Sequence, residues 1–292
     1  MAHQPMSDTS VFEQRQIVVA GVRSPVLVGG LGDTDQAVVF VHGNPDAGGD
    51  WMPLLTEVAT FARVIAPDMP GFGGAERRAD QDYTVAAYAA HLAGVLDELG
   101  VGTAHLVAHD FGGPWALAWA AAHPGQVGSV TLINTGVLTD YRWHRMARLW
   151  RLPVIGELVQ VLATPRVLRA VLRHDNPGLP TSWLERIVGH ALPWGTKRAV
   201  LRLYRSTDTA AIEALGIPLR ELDLPALVVW GESDVYIPVE QARLQLEVFP
   251  RARVETLAGV GHWAWMEQPD RVVGLVAPFL RAQLTRQDSG ES

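Results

Sequence analysis

The chain has 292 residues, of which 48% are apolar and 19% charged, with a formal net charge of −7 and no cysteine. This composition allows a large buried core and excludes a disordered chain, and the lack of cysteine excludes disulfides and a cysteine nucleophile. The net negative charge argues against nucleic-acid binding, and no apolar run is long enough to cross a membrane. Residues 1–10 lack a charged region followed by an apolar one. We therefore expect a cytoplasmic protein with neither nucleic acid nor membrane as a partner.

Short apolar runs that are rich in Val and Ile predict strands buried on both faces. A hairpin near Gln16–Val28 starts the sheet. Six further strands follow, at Ala37–Val41, Arg63–Ala66, His105–Ala108, Ser129–Ile133, Ala226–Trp230 and Arg253–Leu257. Helical patterns separate them, at Thr84–Leu99, Pro114–His123, Val239–Val248 and Asp270–Leu284. Single helices between strands indicate an α/β fold with a mostly parallel, eight-stranded sheet that has helices on both faces.

The segment between the sixth and seventh of these strands differs in charge. Residues 140–205 hold 12 basic and 4 acidic side chains, a formal charge of +8, whereas the remainder of the chain carries −15. From Thr139 to about Leu219 the sequence predicts short helices only, at Arg142–Arg151, Pro165–Arg173, Ser182–His190 and Lys197–Arg205. We interpret residues 137–219 as a helical cap inserted into a core domain of residues 1–136 and 220–292. Its basic face is interpreted as solvated surface, with a functional basic patch as the alternative.

Residues 105–113, HLVAHDFGG, predict a sharp turn between a buried strand and a helix. Asp110 stands where the motif G-x-S-x-G places its nucleophilic serine, and the small residues Ala108 and Gly112 suit so tight a turn. The turn would raise the Asp110 side chain above the sheet and aim the backbone N–H of Phe111 at the same place. An ordinary helix N-cap is the alternative interpretation of Asp110.

Three further segments follow other strands and would lie at the same edge of the sheet. The first is a His-Gly-Asn-Pro motif formed by His42, Gly43, Asn44 and Pro45. The backbone N–H of Asn44 is the second candidate donor to an oxyanion. Asp234 can orient a histidine, and His262 can act as a base. The order Asp110, Asp234, His262 is the order of nucleophile, acid and base in folds with this type of turn.

These motifs, spread over nearly the whole chain, resemble those of the α/β-hydrolase family. Esterases and lipases of that family carry Ser at the turn, whereas Asp resembles the epoxide hydrolases and the haloalkane and fluoroacetate dehalogenases. The resemblance implies that Asp110 attacks a carbon atom and forms an ester, which water activated by His262 and Asp234 hydrolyses. Asn44 and Phe111 would stabilise the oxyanion of that second step. The resemblance implies neither a cofactor nor a metal.

Some residues favour the epoxide branch of the family. Tyr204, in the last predicted cap helix, resembles a ring-opening tyrosine, and the motif at residues 42–45 fits the H-G-x-P pattern of epoxide hydrolases. Phe111 replaces the halide-binding indole that haloalkane dehalogenases usually have next to the nucleophile. The resemblance thus implies a hydrolase that converts a small apolar epoxide and water to a vicinal diol, as a monomer or homodimer.

Other residues keep alternatives open. Trp150 lies roughly where epoxide hydrolases have a first tyrosine and some dehalogenases a halide-binding tryptophan, and the Asn44 amide could also bind a halide. Tyr141 or His144 could supply the missing second donor, and Trp263 would shape the wall beside His262. A haloalkane dehalogenase is therefore the second hypothesis. Another hydrolytic activity, such as lactone or ester cleavage, is the third, and a ligand-binding homologue without activity is the fourth.

Three polar residues near these motifs have structural interpretations. We interpret Asp46 as a turn residue and Asp50 as a helix N-cap. His109 precedes the expected nucleophile, and we interpret it as a packed, hydrogen-bonded histidine that points away from Asp110.

Overall fold

The computed structural model describes residues 12–32 and 34–288. Within them, eight strands form one sheet in the order β1-β2-β4-β3-β5-β6-β7-β8. The strands are β1 (Phe12–Val19), β2 (Val22–Gly30), β3 (Gln36–Val41), β4 (Arg63–Pro67), β5 (Thr103–His109), β6 (Val127–Ile133), β7 (Ala226–Gly231) and β8 (Arg253–Leu257). Strand β2 pairs antiparallel with β1 and β4, and the other pairs are parallel. The predicted eight-stranded, mostly parallel sheet is therefore confirmed.

Helices cover both faces of the sheet. In chain order the first are α1 (Met52–Val58), α2 (Val85–Glu98) and α3 (Gly112–Ala122). Between β6 and β7 come α4 (Arg145–Arg151), α5 (Ile155–Leu162), α6 (Pro165–Asp175), α7 (Thr181–Ala191), α8 (Trp194–Ser206), α9 (Thr209–Ala214) and α10 (Gly216–Glu221). The last are α11 (Glu240–Val248), α12 (Ala264–Glu267) and α13 (Pro269–Asp288). None of the helices in the described residues is long and apolar enough to cross a membrane.

The central strands are buried on both faces because alternate residues belong to different cores. On β3, Val39 and Val41 pack with α2 and α3, whereas Val38 and Phe40 pack with α1 and α13. A strand between two helical layers needs apolar residues at every position rather than at every second one. The continuous apolar runs in the sequence have this cause.

The segment between β6 and β7 is helical throughout its regular structure, but it contains more helices than the sequence pattern predicted. The prediction omitted α5, α9, α10 and α12, and for α1 it gave no bounds beyond a helix start near Asp50. Helix α10 continues to Glu221, two residues past the expected boundary at 219. The division of the chain into core and cap at these boundaries stays a prediction.

Candidate active site

Asp110 lies in the turn between β5 and α3, in a left-handed backbone conformation with φ of +50°. This conformation is unfavourable for a residue with a Cβ, and neighbouring groups hold it. The hydroxyl of Thr135 and the backbone N–H of Gly113 both donate to the Asp110 carbonyl oxygen, at 2.6 and 3.0 Å. A Cβ on Gly112 would overlap the carbonyl group of Val41, so the tight turn requires glycine there.

Asp110, His262 and Asp234 lie in a row of adjacent charged groups. His262 Nε2 lies 3.5 Å from Asp110 Oδ2, and His262 Nδ1 lies 2.7 Å from Asp234 Oδ2. Asp234 is itself fixed, since its Oδ1 accepts from the backbone N–H groups of Tyr236 and Ile237 at 2.8 and 3.0 Å. The structure therefore brings the three residues together in the order that the sequence predicted.

The two carboxylates control the charge of the histidine. Burial disfavours the imidazolium, but the negative charges of Asp234 and Asp110 outweigh it and raise the pKa of His262 to about 10. Burial opposes ionisation of Asp110 too, yet its hydrogen bond and charge interaction with His262 lower the pKa of that carboxyl to about 2. The same charge interaction holds the pKa of Asp234 below its usual value against the effect of burial. At neutral pH the resting site therefore holds an imidazolium between two carboxylates.

The loop after β3 supplies a hydrogen bond to the candidate nucleophile. The backbone N–H of Asn44 donates to Asp110 Oδ1 at 2.8 Å. Gly43 must lack a side chain, because a Cβ there would overlap the Asp110 carboxylate. His42 accepts a hydrogen bond from Met69 on Nε2, so its Nδ1 carries the proton and donates to the Gly43 carbonyl at 2.8 Å. His42 thus holds this loop against the next one.

The backbone N–H of Phe111 was the other expected donor to the oxyanion. It directly follows Asp110 at the N-terminus of α3, and its ring lines the cavity above the site. Among the described residues its backbone N–H makes no hydrogen bond to the Asp110 carboxylate. Its part in an oxyanion hole stays a prediction.

A cavity of about 280 Å³ lies above Asp110, with a lining that is mostly apolar. It collects most of the residues singled out from the sequence, namely Asn44, Pro45, Asp110, Phe111, Tyr141, His144, Trp150, Tyr204, His262 and Trp263. Asp234 lies behind His262, and His42 and Gly43 support the loop below. The described residues contain no cluster of three or more acidic or histidine side chains that could hold a metal ion.

Tyr204 and His144 face each other in this cavity. The Tyr204 hydroxyl lies 3.3 Å from His144 Nε2. His144 caps α4, and its Nδ1 accepts from the backbone N–H of Ala147 at 3.4 Å. The neutral imidazole therefore carries its proton on Nε2, as a hydrogen-bond donor into the cavity. Burial lowers the pKa of His144 to about 4, and burial and the charge of Asp110 raise the pKa of Tyr204 well above its usual value.

The other two donor candidates differ in their availability. Tyr141 donates its hydroxyl to the backbone carbonyl of Tyr236 at 3.0 Å, so that proton is already used. Trp150 Nε1 is buried and has no hydrogen-bond partner among the described residues. The Trp150 ring packs on Tyr204, with ring centroids 4.9 Å apart.

A second Asp–His pair lies behind His262. Asp46 is fully buried and accepts from Trp263 Nε1 at 3.1 Å, so it does more than shape a turn. His109 lies between Asp46 and His262, with Nδ1 3.3 Å from Asp46 Oδ2 and Nε2 3.1 Å from the His262 carbonyl oxygen. This packing supports the loop that carries His262 and Trp263.

Asp50 is not a helix N-cap, contrary to the sequence interpretation. Ala47 is the N-cap of the short 3₁₀ helix at residues 48–51, and Asp50 is the third residue of that helix, where Oδ2 accepts from the Ala47 N–H at 2.8 Å. Its buried carboxylate pairs with Arg186 and with His190 Nε2, the latter at 3.2 Å. A carboxylate that is distant from α7 in sequence therefore anchors this helix to the loop after β3.

The sequence analysis missed Tyr236, which lines the cavity. Its ring packs on His262 at a centroid distance of 5.0 Å, and its hydroxyl donates to Asp175 Oδ2 at 3.1 Å. The sequence feature that could have identified Tyr236 is its position two residues after Asp234, in a loop that was already assigned to the edge of the sheet.

Comparison with known proteins assigns the chain to a family. The family described as the alpha/beta hydrolase fold matches residues 36–164. The chain is 30% identical over 280 residues to 2-hydroxymuconate semialdehyde hydrolase of Pseudomonas sp. (strain CF600), covering 91% of this chain and 93% of that protein. The chain therefore belongs to the α/β-hydrolase family and is a hydrolase.

The chain is also similar to an epoxide hydrolase in sequence and to a meta-cleavage product hydrolase in structure. Epoxide hydrolase 4 of Mus musculus is 28% identical over 273 residues, covering 86% of this chain and 74% of that protein. The crystal structure of a meta-cleavage product hydrolase from Pseudomonas fluorescens IP01 (CumD), complexed with acetates, superposes with a TM-score of 0.76 at 23% identity, covering 92% of this chain and 97% of that one. The structural likeness confirms the fold.

Proposed function

We propose that this protein is an epoxide hydrolase that converts an apolar epoxide to a vicinal diol through an ester on Asp110. The observation that carries the proposal is a carboxylate at the nucleophile position that faces a Tyr204–His144 donor pair across an apolar cavity. A carboxylate can displace an epoxide oxygen from carbon, and the two neutral donors can stabilise the oxygen that leaves.

In the first step, Asp110 attacks an epoxide carbon and the ring C–O bond breaks. The low pKa of Asp110 keeps its carboxylate ionised at neutral pH. Tyr204 gives its proton to the alkoxide, and His144 donates a hydrogen bond from Nε2. The proton of the His262 imidazolium then restores the Tyr204 hydroxyl, which leaves a neutral ester and a neutral histidine.

The ester itself prepares the base for the second step. Esterification removes the negative charge of Asp110, which is one of the two charges that raise the pKa of His262. Neutral His262 can then take a proton from water, and the hydroxide adds to the Asp110 carboxyl carbon. Asn44 and Phe111 would stabilise the oxyanion. Collapse of this intermediate releases the diol with a proton from His262, and the Asp110 carboxyl returns a proton to the histidine.

Relatives that are named for 2-hydroxymuconate semialdehyde raise the question of a carbon–carbon hydrolase. Such a substrate carries a carboxylate, which needs a cationic or multiple hydrogen-bonding partner once it leaves water. Among the described residues that line the cavity, none is Arg or Lys. The cavity therefore favours an uncharged substrate.

Haloalkane dehalogenase is the second candidate, and one observation favours it. Trp150 Nε1 is a buried N–H that has no partner among the described residues, and a halide leaving group needs such donors. The neighbouring Tyr204 hydroxyl suits an alkoxide better, because it can transfer a proton and not only donate a hydrogen bond.

The test is a parallel assay of the purified protein with styrene oxide, 1-bromobutane and 2-hydroxymuconate semialdehyde. We expect diol from the epoxide in the wild type and none with Asp110→Ala. With His262→Gln the first step should proceed and stop at the ester, so mass spectrometry should find the substrate mass on the peptide that contains Asp110. Bromide release without diol formation would establish the dehalogenase instead. Turnover of the semialdehyde alone, with no adduct from any substrate, would refute the covalent mechanism.

A further inference from the structure

The helices α5 and α6 and the loop before them expose an unusual amount of apolar surface. We define the α5–α6 surface by its eight exposed side chains, which are Leu152, Val154, Ile155, Leu158, Val161, Leu162, Val167 and Val171. They are 38% to 69% exposed and lie within twenty consecutive residues, and the described chain exposes only seven other large apolar side chains. Exposed apolar patches of this kind mark interaction sites.

Helix α6 has the pattern of a helix that lies at an interface between water and an apolar phase. None of its eleven residues is fully buried, and Leu168 and Leu172 hold it to the protein as half-buried side chains. Val167 and Val171 are four residues apart and share one side, whereas Arg166, Arg169 and Arg173 share an adjacent side. Arg169 pairs with Glu185 and Arg173 donates to the Leu179 carbonyl, so within the described chain Arg166 is the free charge of this side. An exposed apolar stripe beside a basic stripe is typical of helices that bind at the surface of a bilayer.

The cavity above Asp110 opens through this same surface. Leu162, Val167 and Val171 are exposed and also line the cavity. If an apolar phase covered α5 and α6, an apolar substrate could therefore pass from that phase into the cavity along apolar side chains, without crossing water.

The positive charges near the α5–α6 surface favour an anionic partner. Within the described residues, Arg145, Arg148 and Arg166 are exposed and have no ion-pair partner, and residues 140–205 carry +8 in a chain of net −7. A second copy bound across a two-fold axis would bring the same arginines face to face, because both subunits present the same patch. Anionic lipid headgroups would neutralise them instead.

We propose that the α5–α6 surface docks on an anionic lipid bilayer, with its apolar side chains in the outer acyl region and the arginines at the phosphates. The sequence led us to expect no membrane partner, but that expectation rested on the absence of a spanning segment, and surface docking needs none. The proposal does not depend on the reaction that Asp110 performs.

The test is cosedimentation of the purified protein with vesicles of phosphatidylcholine alone or with about 30 mol% phosphatidylglycerol. We expect the wild type to bind the anionic vesicles at least about ten-fold more tightly than the neutral ones. The double variant Leu158→Glu, Val161→Glu should lose at least about ten-fold of that binding, and Arg166→Glu should weaken it and reduce its salt dependence. Ile217→Glu is the matched control, since Ile217 is 72% exposed in α10 outside the surface, and it should bind like the wild type.

Three results would overturn the proposal. The first is a wild type that does not bind anionic vesicles or that binds neutral ones equally well. The second is a control variant that loses as much binding as the double variant. The third is a wild-type dimer, seen by light scattering, that the double variant separates while neither protein binds vesicles. Binding is measured without turnover, so failure of the epoxide assay leaves this test intact.

Discussion

Tyr204 and Tyr141 both line the cavity, but their hydroxyls have different partners. The Tyr204 hydroxyl faces His144, whereas the Tyr141 hydroxyl is committed to a backbone carbonyl. Both stood as candidates in the sequence, since each is a tyrosine of the predicted cap. The choice between them depends on side-chain direction, which residue type cannot give.

Replacing Tyr204 with Phe removes the proton donor and keeps the ring packing. We expect epoxide opening to slow at least ten-fold, which corresponds to about 1.4 kcal/mol of barrier. Single-turnover measurement of ester formation would show this directly. Tyr141→Phe is the matched control and should stay within a factor of about three of the wild type, since its lost bond is to backbone. Equal rates for Tyr204→Phe and the wild type would remove Tyr204 from the mechanism.

The charge on Asp110 should be visible in the titration of His262. Asp110→Ala removes one of the two negative charges that raise the pKa of His262 to about 10, so the pKa of that imidazole should fall. NMR of histidine-labelled protein would measure it, with the His262→Gln spectrum identifying the resonance. An unchanged pKa would show that Asp110 does not control the base, and the proposed activation by esterification would fail.

Helix α7 and the 3₁₀ helix at residues 48–51 are joined by one buried carboxylate. Asp50 accepts from Arg186, His190 and the backbone of Ala47, and its own carbonyl accepts from Trp265 Nε1 at 2.9 Å. The burial of a carboxylate is tolerated only with such partners. This contact holds α7 against the loop that leads from the His-Gly-Asn-Pro motif.

Asp50→Ala should destabilise this packing more than a surface change does. Loss of hydrogen bonds to charged groups from a buried position costs about 2 kcal/mol. Urea unfolding should show a lower midpoint with an unchanged slope. Asp270→Ala, an exposed change in the first turn of α13, serves as the control and should cost less than about 0.5 kcal/mol. A loss of that size in Asp50→Ala as well would show that the ion pairs contribute little.

At the scale of the whole molecule, the charged triad couples folding to pH. His262 has a folded pKa of about 10 against 6.5 as the ordinary value, so folding retains a proton that the unfolded chain releases. Its stabilising contribution is complete below pH 6.5 and is lost as the pH rises to about 10. The contribution of Asp110 is complete above pH 3.8 and is lost as the pH falls to about 2.

The free energy of unfolding of the wild type, minus that of His262→Gln, should therefore decrease as the pH rises from 6.5 to 10. Denaturant titrations at several pH values would measure the difference. Ser182→Ala, at an exposed position in α7 and without a titrating side chain, should show no such trend. A constant difference for His262→Gln across this range would mean that the imidazolium between two carboxylates does not form.

The sequence by itself determined the sheet and predicted that Asp110, Asp234 and His262 meet at one edge of it. Strands buried on both faces need continuous apolar runs, and a tight turn around Asp110 needs glycine, so both features are local and visible along the chain. The sequence analysis missed helix α5, although its apolar residues recur at helical spacing. That spacing also did not indicate that several of these residues are exposed.

Only the tertiary structure decided which side chains meet. The partnership of Tyr204 with His144, the anchoring of α7 by Asp50 and the packing of Tyr236 on His262 all join residues that are far apart along the chain. The first two contacts depend on how the helices between β6 and β7 sit over the sheet, and the third depends on how the loops after β7 and β8 pack together. Packing of this kind is set by the shapes of many side chains together, and no local pattern of residues encodes it.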